Sequence, residues 1–157
     1  MNSWTLPYLA GLFDGEGCVM IVIRTIKERG KVYYGYSLIT TITNTDKNLL
    51  IFCKENMNLG HINVVGKGLG KWKKSYVWRC CANQSQIFLE AILPYLILKK
   101  ERAILAIKFQ KMHHFNKADK RDKLGRFASG GGVYSLEETN RMIELRNEIM
   151  KLNKKGN

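Results

Sequence analysis

The segment Leu9-Ala10-Gly11-Leu12-Phe13-Asp14-Gly15-Glu16-Gly17 joins a short apolar helix directly to acids flanked by glycines, and no other stretch constrains the fold as tightly. A helix that opens at Thr5 as N-cap, with Pro7 in the first turn where a missing N–H costs nothing, runs to Phe13, and Asp14 and Gly15 end it. Pro7, Ala10, Gly11 and Asp14 then share a face nearly free of bulk, whereas Tyr8, Leu9, Leu12 and Phe13 are large. Glycine within a soluble helix costs roughly 1 kcal/mol relative to alanine, so Gly11 points to a close helix contact rather than a solvent-facing position. The plainer alternative is a core helix closed by a tight glycine turn.

Composition narrows the partner. The 157 residues suit one domain with a proper core, and an apolar fraction of 45% excludes wholesale disorder. A formal charge of +13, from 26 Lys and Arg against 13 Asp and Glu, favours a polyanion, although an acidic membrane surface or ribosomal RNA satisfies it equally well. No run of eighteen apolar residues and no signal-type segment is present, so the expectation is a soluble, intracellular chain without a membrane partner. Cys18, Cys53, Cys80 and Cys81 form no C-x-x-C pair and His61, His113 and His114 stand at no zinc-like spacing from them, which predicts reduced thiols and no zinc. His113 and His114, at a helix end, suit phosphate or dipole contacts.

Strands and helices alternate along the chain. Cys18 to Thr25 is apolar and β-branched, Lys27 to Lys31 is a charged turn with Gly30, and Val32 to Thr43 is rich in Tyr, Thr and Ile, which reads as a hairpin. Asn44 or Thr45 caps a helix with Leu49, Leu50, Cys53 and Met57 on one face, ended by Gly60. Strands His61 to Val65 and Ser75 to Ala82 follow, separated by the turn-rich Gly66-Lys67-Gly68-Leu69-Gly70. Ser85 caps the next helix, Pro94 breaks it, and it resumes from about Lys99 to His114. The predicted order is αββαββα with further helix beyond it: an α+β core over 1–115, a basic Gly-rich loop over 116–134, and a C-terminal helix and tail over 135–157. Ser135 and Glu138 form a capping box, and Met142, Leu145, Ile149 and Leu152 line one side, which docks on the core or on a partner.

Six positions from Leu9 to Gly17 fit the pattern L-A-G-x-x-D-x-[D/E]-G, and this signature, with the αββαββα order over roughly Thr5 to His114, resembles the LAGLIDADG homing endonucleases. The resemblance implies a half-domain whose curved four-stranded antiparallel sheet lies in the DNA major groove, with the signature helices of two halves packed above the minor groove. Each half supplies one acid. One signature in a chain too short for two halves implies a homodimer on a palindromic or near-palindromic target. Pro7, Ala10, Gly11 and Asp14 are then the expected interface. A strand rises about 3.3 Å per residue and duplex DNA about 3.4 Å per base pair, so the dimer would track about twenty base pairs. Matching the family's hairpins places Met20, Val22, Arg24, Ser37, Ile39, Thr41, Asn63, Ser75, Val77 and Arg79 on the DNA face, with Tyr36, Leu38, Tyr76 and Trp78 towards the helices. Lys120, Arg121, Lys123 and Arg126 of the basic loop either grip flanking phosphates or belong to a merely solvated linker.

The same resemblance assigns the chemistry. Glu16 takes the metal-ligand position with the backbone carbonyl of Gly15 beside it, and Asp14 is the structural acid at the helix end. The implied cofactor is Mg2+ or Mn2+, with Ca2+ supporting binding without cleavage, and the implied product is a staggered double-strand cut. Lys99 matches the family's active-site lysine, with Lys100 the alternative if the turn differs by one residue. Asn44 matches a water-positioning residue, whereas Asn48 stands where the family often has a cation; helix capping is the competing role for both. Two other functions fit the same fold: a maturase binding intron RNA and a DNA-binding regulator without catalysis.

Overall fold

The computed structural model describes residues 2–28, 31–67, 73–118 and 136–154. Its elements follow in the order α1 (Thr5–Glu16), β1 (Gly17–Glu28), β2 (Lys31–Asn44), α2 (Lys47–Met57), β3 (His61–Lys67), β4 (Lys74–Cys81), α3 (Asn83–Ile92), α4 (Lys100–Ala118) and α5 (Leu136–Lys154), with a 3-10 turn at Leu93–Tyr95 ahead of α4. This is the αββαββα order with two further helices, α4 and α5. The sheet runs β1-β2-β4-β3 and all neighbouring strands are antiparallel.

Alternation along the strands builds the core. Val19 and Ile21 of β1, Leu38 and Ile42 of β2, and Trp78 and Cys80 of β4 turn to the same side and are buried. Against them lie Leu9 and Phe13 of α1, Leu50 of α2, Phe88 and Leu89 of α3, and Ala106 and Phe109 of α4. Phe88 sits edge-on to both Phe13 and Trp78, at 5.2 and 4.9 Å between ring centroids. Tyr36 and Tyr76 also face the helices, as expected.

Several ends differ from the sequence reading. The N-cap of α1 is Trp4, without a side-chain cap, and Thr5 is a buried first helical residue. The helix also continues past Phe13 to Glu16, because Asp14 makes its hydrogen bonds elsewhere and does not stop the helix. β1 starts at once at Gly17, where an added Cβ would stand 2.2 Å from the Phe13 ring, so the tight helix-to-strand joint admits only glycine. Asp46, rather than Asn44 or Thr45, caps α2, accepting from the Asn48 N–H at 2.8 Å. Ser85 is the third residue of α3, not its cap, and lies wholly buried. There its hydroxyl accepts from the Thr40 N–H at 3.2 Å and donates to the Cys80 carbonyl at 2.8 Å, tying α3 to β2 and β4. α2 ends at left-handed Asn58, and Gly60 follows with φ +73°, where a Cβ would meet the Arg79 carbonyl at 2.6 Å.

α5 docks on its own chain. Met142, Leu145 and Ile149 are buried in the core, while Arg146 Nε and Asn153 Nδ2 donate to the Ile21 and Val19 carbonyls of β1 at 3.3 and 3.1 Å. β1 is a sheet edge, so these side chains cover main-chain acceptors that would otherwise invite another strand. Lys120, Arg121, Lys123, Arg126, Ser135 and the side chains of His113 and His114 lie outside the described residues. Among the described residues, no helix is long and apolar enough to cross a membrane.

Candidate active site and nucleic-acid interface

Asp14 and Glu16 stand two residues apart in the last turn of α1, so their side chains project about 200° apart around the helix. Asp14 turns to the start of α4. Its carboxylate accepts from the N–H groups of Ile97 (2.8 Å), Leu98 (3.2 Å) and Lys99 (2.8 Å), which have no carbonyl partner of their own at a helix start. Negative charge at that end also suits the helix dipole. Glu16 is exposed, and among the described residues no hydrogen bond engages its carboxylate.

Lys99 completes the junction. Its Nζ donates to the backbone carbonyl of Asp14, while its own carbonyl accepts from the Ala103 N–H at 3.0 Å to open α4. The side chain is only 9% exposed. Burial, and next the Arg102 guanidinium, hold its ammonium below the usual lysine range, with Asp14, Cys18 and Glu16 pulling the other way. Lys99 is therefore within electrostatic reach of both acids, whereas Lys100 is exposed. Cys18, the next residue after Gly17, joins this group; burial raises its thiol, and Lys99 and Arg102 oppose the rise.

Asn44 ends β2, two residues past Ile42, which pairs with Gly17. It thus lies at the Glu16 end of the sheet. Its Oδ1 accepts from the Asp46 N–H at 2.9 Å, so the amide serves the turn through its oxygen. Asn48 is exposed in the first turn of α2.

All ten sheet residues read as DNA-facing share the side away from the helices. The register aligns Met20 with Ile39, Val22 with Ser37, Thr41 with Arg79, and Asn63 with Val77, and Ser75 follows two residues before Val77. Their accessibility differs. Arg24 and Asn63 are exposed, and Met20, Val22, Ser37, Ser75 and Arg79 are half-buried. Ile39, Thr41 and Val77 are only 6, 7 and 3% exposed, so they shape the surface more than they reach out of it. Arg79 Nε is buried with no hydrogen-bond partner among the described residues. Strand parity adds Cys18, Thr43, His61 and Cys81 to the same side, positions missed for want of a known register.

The expected interface set on α1 divides. Ala10 is wholly buried in the core and Asp14 is engaged at α4, whereas Pro7 and Gly11 are exposed. Gly15, also exposed, extends them into an outward stripe at spacing i, i+4, i+8, and a Cβ at Gly11 or Gly15 would meet nothing within 4 Å. Outside this stripe, Trp4 stacks on Phe52 at 5.9 Å, with Tyr8 edge-on to both.

The LAGLIDADG endonuclease family model matches residues 9–113. No curated protein matches by sequence. Among solved structures, the archaeal intron-encoded homing endonuclease I-Vdi141I, complexed with DNA, aligns at TM-score 0.69 and 17% identity over 95% of this chain and 84% of its own. The homing endonuclease I-CvuI, in complex with its target in the presence of calcium, aligns at TM-score 0.60 and 21% identity over 94% of each chain. The same enzyme was also solved on a DNA target with magnesium. The LAGLIDADG meganuclease I-AabMI, bound to uncleaved DNA, gives TM-score 0.62 and 22% identity, with 92% of this chain covering only 43% of that one.

Proposed function

The chain belongs to the LAGLIDADG endonuclease family, and from that premise we propose that it is a homodimeric, divalent-metal-dependent endonuclease cutting a near-palindromic duplex of about twenty base pairs. The observation that carries this reading is the unequal treatment of two neighbouring acids: Asp14 is consumed by three main-chain donors, while Glu16 stands exposed within electrostatic reach of Lys99. An exposed carboxylate that makes no hydrogen bond among the described residues suits a ligand-binding role.

The donors suit a hard cation. Glu16 offers a carboxylate, and Gly15 a carbonyl from the last helical turn, where carbonyls lack intrahelical partners. Among the described residues, no three acidic, histidine or cysteine side chains gather into a cage, which fits magnesium or manganese, ions that keep waters and substrate phosphate oxygens in their shell. Held by Glu16 and the Gly15 carbonyl, such an ion would supply a lowered pKa for the attacking water and neutralising charge for the leaving oxygen. Calcium, which takes the same oxygen donors in a looser geometry, would be expected to support binding without cleavage. Lys99, whose ammonium keeps two N–H groups beyond the one given to the Asp14 carbonyl, would stabilise charge developing on the scissile phosphate, and Asn44 keeps its amide N–H groups for water or phosphate.

Association follows from the outward stripe Pro7, Gly11 and Gly15, where two copies of α1 approach backbone to backbone and bring both Glu16 residues to the two-fold axis. Each strand is then cut by a related site, giving staggered ends. Arg24, Asn63 and Ser75 read base edges from the open sheet, with Arg79 closer to its floor. The basic residues Lys120, Arg121, Lys123 and Arg126 add phosphate contacts. Incubating the chain with a randomised duplex library, with and without magnesium, tests the reading: a magnesium-dependent cut at one selected sequence is expected. Binding without cutting makes it a regulator, and tighter binding to structured RNA than to any duplex makes it a maturase.

A further inference from the structure

α5 lies outside the stretch that the family model matches, yet its last turn is fastened to both arms of the site. The Leu152 carbonyl accepts from the Arg102 guanidinium, and the neighbouring Asn153 Nδ2 donates to the Val19 carbonyl at 3.1 Å. Val19 is two residues beyond Gly17, on the strand that Glu16 leads into. Arg102 is three residues beyond Lys99 and shares its face at the start of α4. The Arg102–Leu152 bond also has a local cause, since the final carbonyls of a helix are unpaired and carry negative partial charge that a guanidinium meets. Cys18, the next residue after Gly17, lies in the electrostatic field of both Lys99 and Arg102.

We propose that Arg102 and Asn153 are positioning residues of the cleavage site, which use the C-terminal turn of α5 to hold the Glu16 arm and the Lys99 arm at a fixed separation. The proposal rests on the reading of Glu16 and Lys99 given above. Neither residue needs to touch DNA. Arg146 provides the internal contrast: it makes the same kind of bond from α5 to β1, at Ile21, but farther from Glu16 and, among the described residues, with no hydrogen bond to α4. Loss of Arg146 loosens the docking of α5, whereas loss of Arg102 or Asn153 loosens the site.

The test measures single-turnover cleavage of the selected target in magnesium, affinity for that target in calcium, and thermal melting. It compares wild type with Arg102→Met, Arg102→Lys, Asn153→Leu and Arg146→Met. Arg102→Met and Asn153→Leu should slow cleavage by roughly 10- to 100-fold, the usual effect of losing a partner that orients a site ligand, with calcium-supported affinity unchanged. Arg102→Lys should recover most of the rate, and Arg146→Met should lower the melting temperature without slowing the cut. Wild-type rates in Arg102→Met, or a rate loss in Arg146→Met equal to that in Asn153→Leu, would overturn the positioning role. If Arg102→Met does not fold, Asn153→Leu still decides the matter, because it leaves the guanidinium in place. A wild-type chain that cuts no target overturns the endonuclease reading itself, and the positioning role with it.

Discussion

On the helix-covered side of the sheet, polar groups that go inside are matched: Ser85 bridges Thr40 and Cys80, the Trp78 indole N–H donates to the Leu59 carbonyl at 2.9 Å, and Asp14 takes three main-chain donors. On the open side and its rim the pattern reverses. Glu16, Arg24 and Asn63 are exposed, and Arg79 keeps a buried Nε without a partner among the described residues. Buried polar groups are normally satisfied because an unmade hydrogen bond there costs about 1 to 3 kcal/mol. The covered side therefore spends its polar groups on the fold, and the open side leaves its own unspent, as the proposed DNA-binding role requires.

Exchanging the two acids tests this contrast most severely. Glu16→Gln should reduce cleavage by roughly a thousandfold or more, as loss of an essential group does, while denaturation stays within about 0.5 kcal/mol of wild type because the residue is exposed. Asp14→Asn should do the opposite first, lowering stability by about 1.5 to 3 kcal/mol, since an amide turns a donor towards main-chain donors. If chemical denaturation finds Glu16→Gln the less stable of the two, the division of labour at the end of α1 is wrong.

The fold was legible because its signals are local: alternation in the strands, the Met142-Leu145-Ile149 spacing in α5, and the crowded Leu9 to Gly17 segment. Boundaries decided by tertiary partners were not. Asn44, Thr45 and Asp46 can all cap a helix, and only the length of β2 selects Asp46. Ala10 is small enough for an interface, but the rotation of α1 on Phe13 and Leu9 turns it inward. The identities of Glu16 and Lys99 stood in the sequence, whereas the Asp14–Lys99 bond that brings them to one junction joins residues 85 apart. Arg102 and Asn153 carried no sequence signal, because each bonds a backbone carbonyl, which every residue type supplies.

A second test separates the two sides of α1. Gly11 has open space where a Cβ would stand, so Gly11→Leu should fold normally as a single chain yet lose about 1 to 3 kcal/mol at each of two symmetric contacts in a dimer. Sedimentation should show monomer at concentrations where wild type is dimeric, with an unchanged circular dichroism spectrum. A Gly11→Leu dimer as tight as wild type would remove this stripe from the interface.

Neighbouring residues on opposite sides of β1 sharpen the comparison further. Arg24→Ala should relax discrimination at one base position by about 1 to 3 kcal/mol and leave stability intact. Ile21→Val, on the covered side, should cost about 0.5 to 1.5 kcal/mol of stability and leave the selected sequence unchanged. Target selection from a library with each variant measures both, and a sequence preference altered by Ile21→Val alone would mean that the sheet faces are not independent.

The last contrast is a pH-dependent one and concerns the thiols. Burial pushes the Cys53 and Cys80 thiols of the covered side up to about 12, from an ordinary 9.0. The folded chain thus keeps these protons to higher pH than the unfolded chain does. Their contribution to stability is complete below pH 9.0 and is lost as pH rises from there towards about 12, because the unfolded state alone gains by ionising. Denaturation curves at intervals from pH 8 to 11 should therefore fall more steeply for wild type than for a Cys53→Ala, Cys80→Ala variant, whatever the offset in absolute stability. In the same range a thiol reagent should label the half-buried Cys18 and Cys81 well before the buried pair. Equal slopes together with equal labelling would show that the covered side admits water, and the contrast between the two faces would then extend only to their hydrogen bonds.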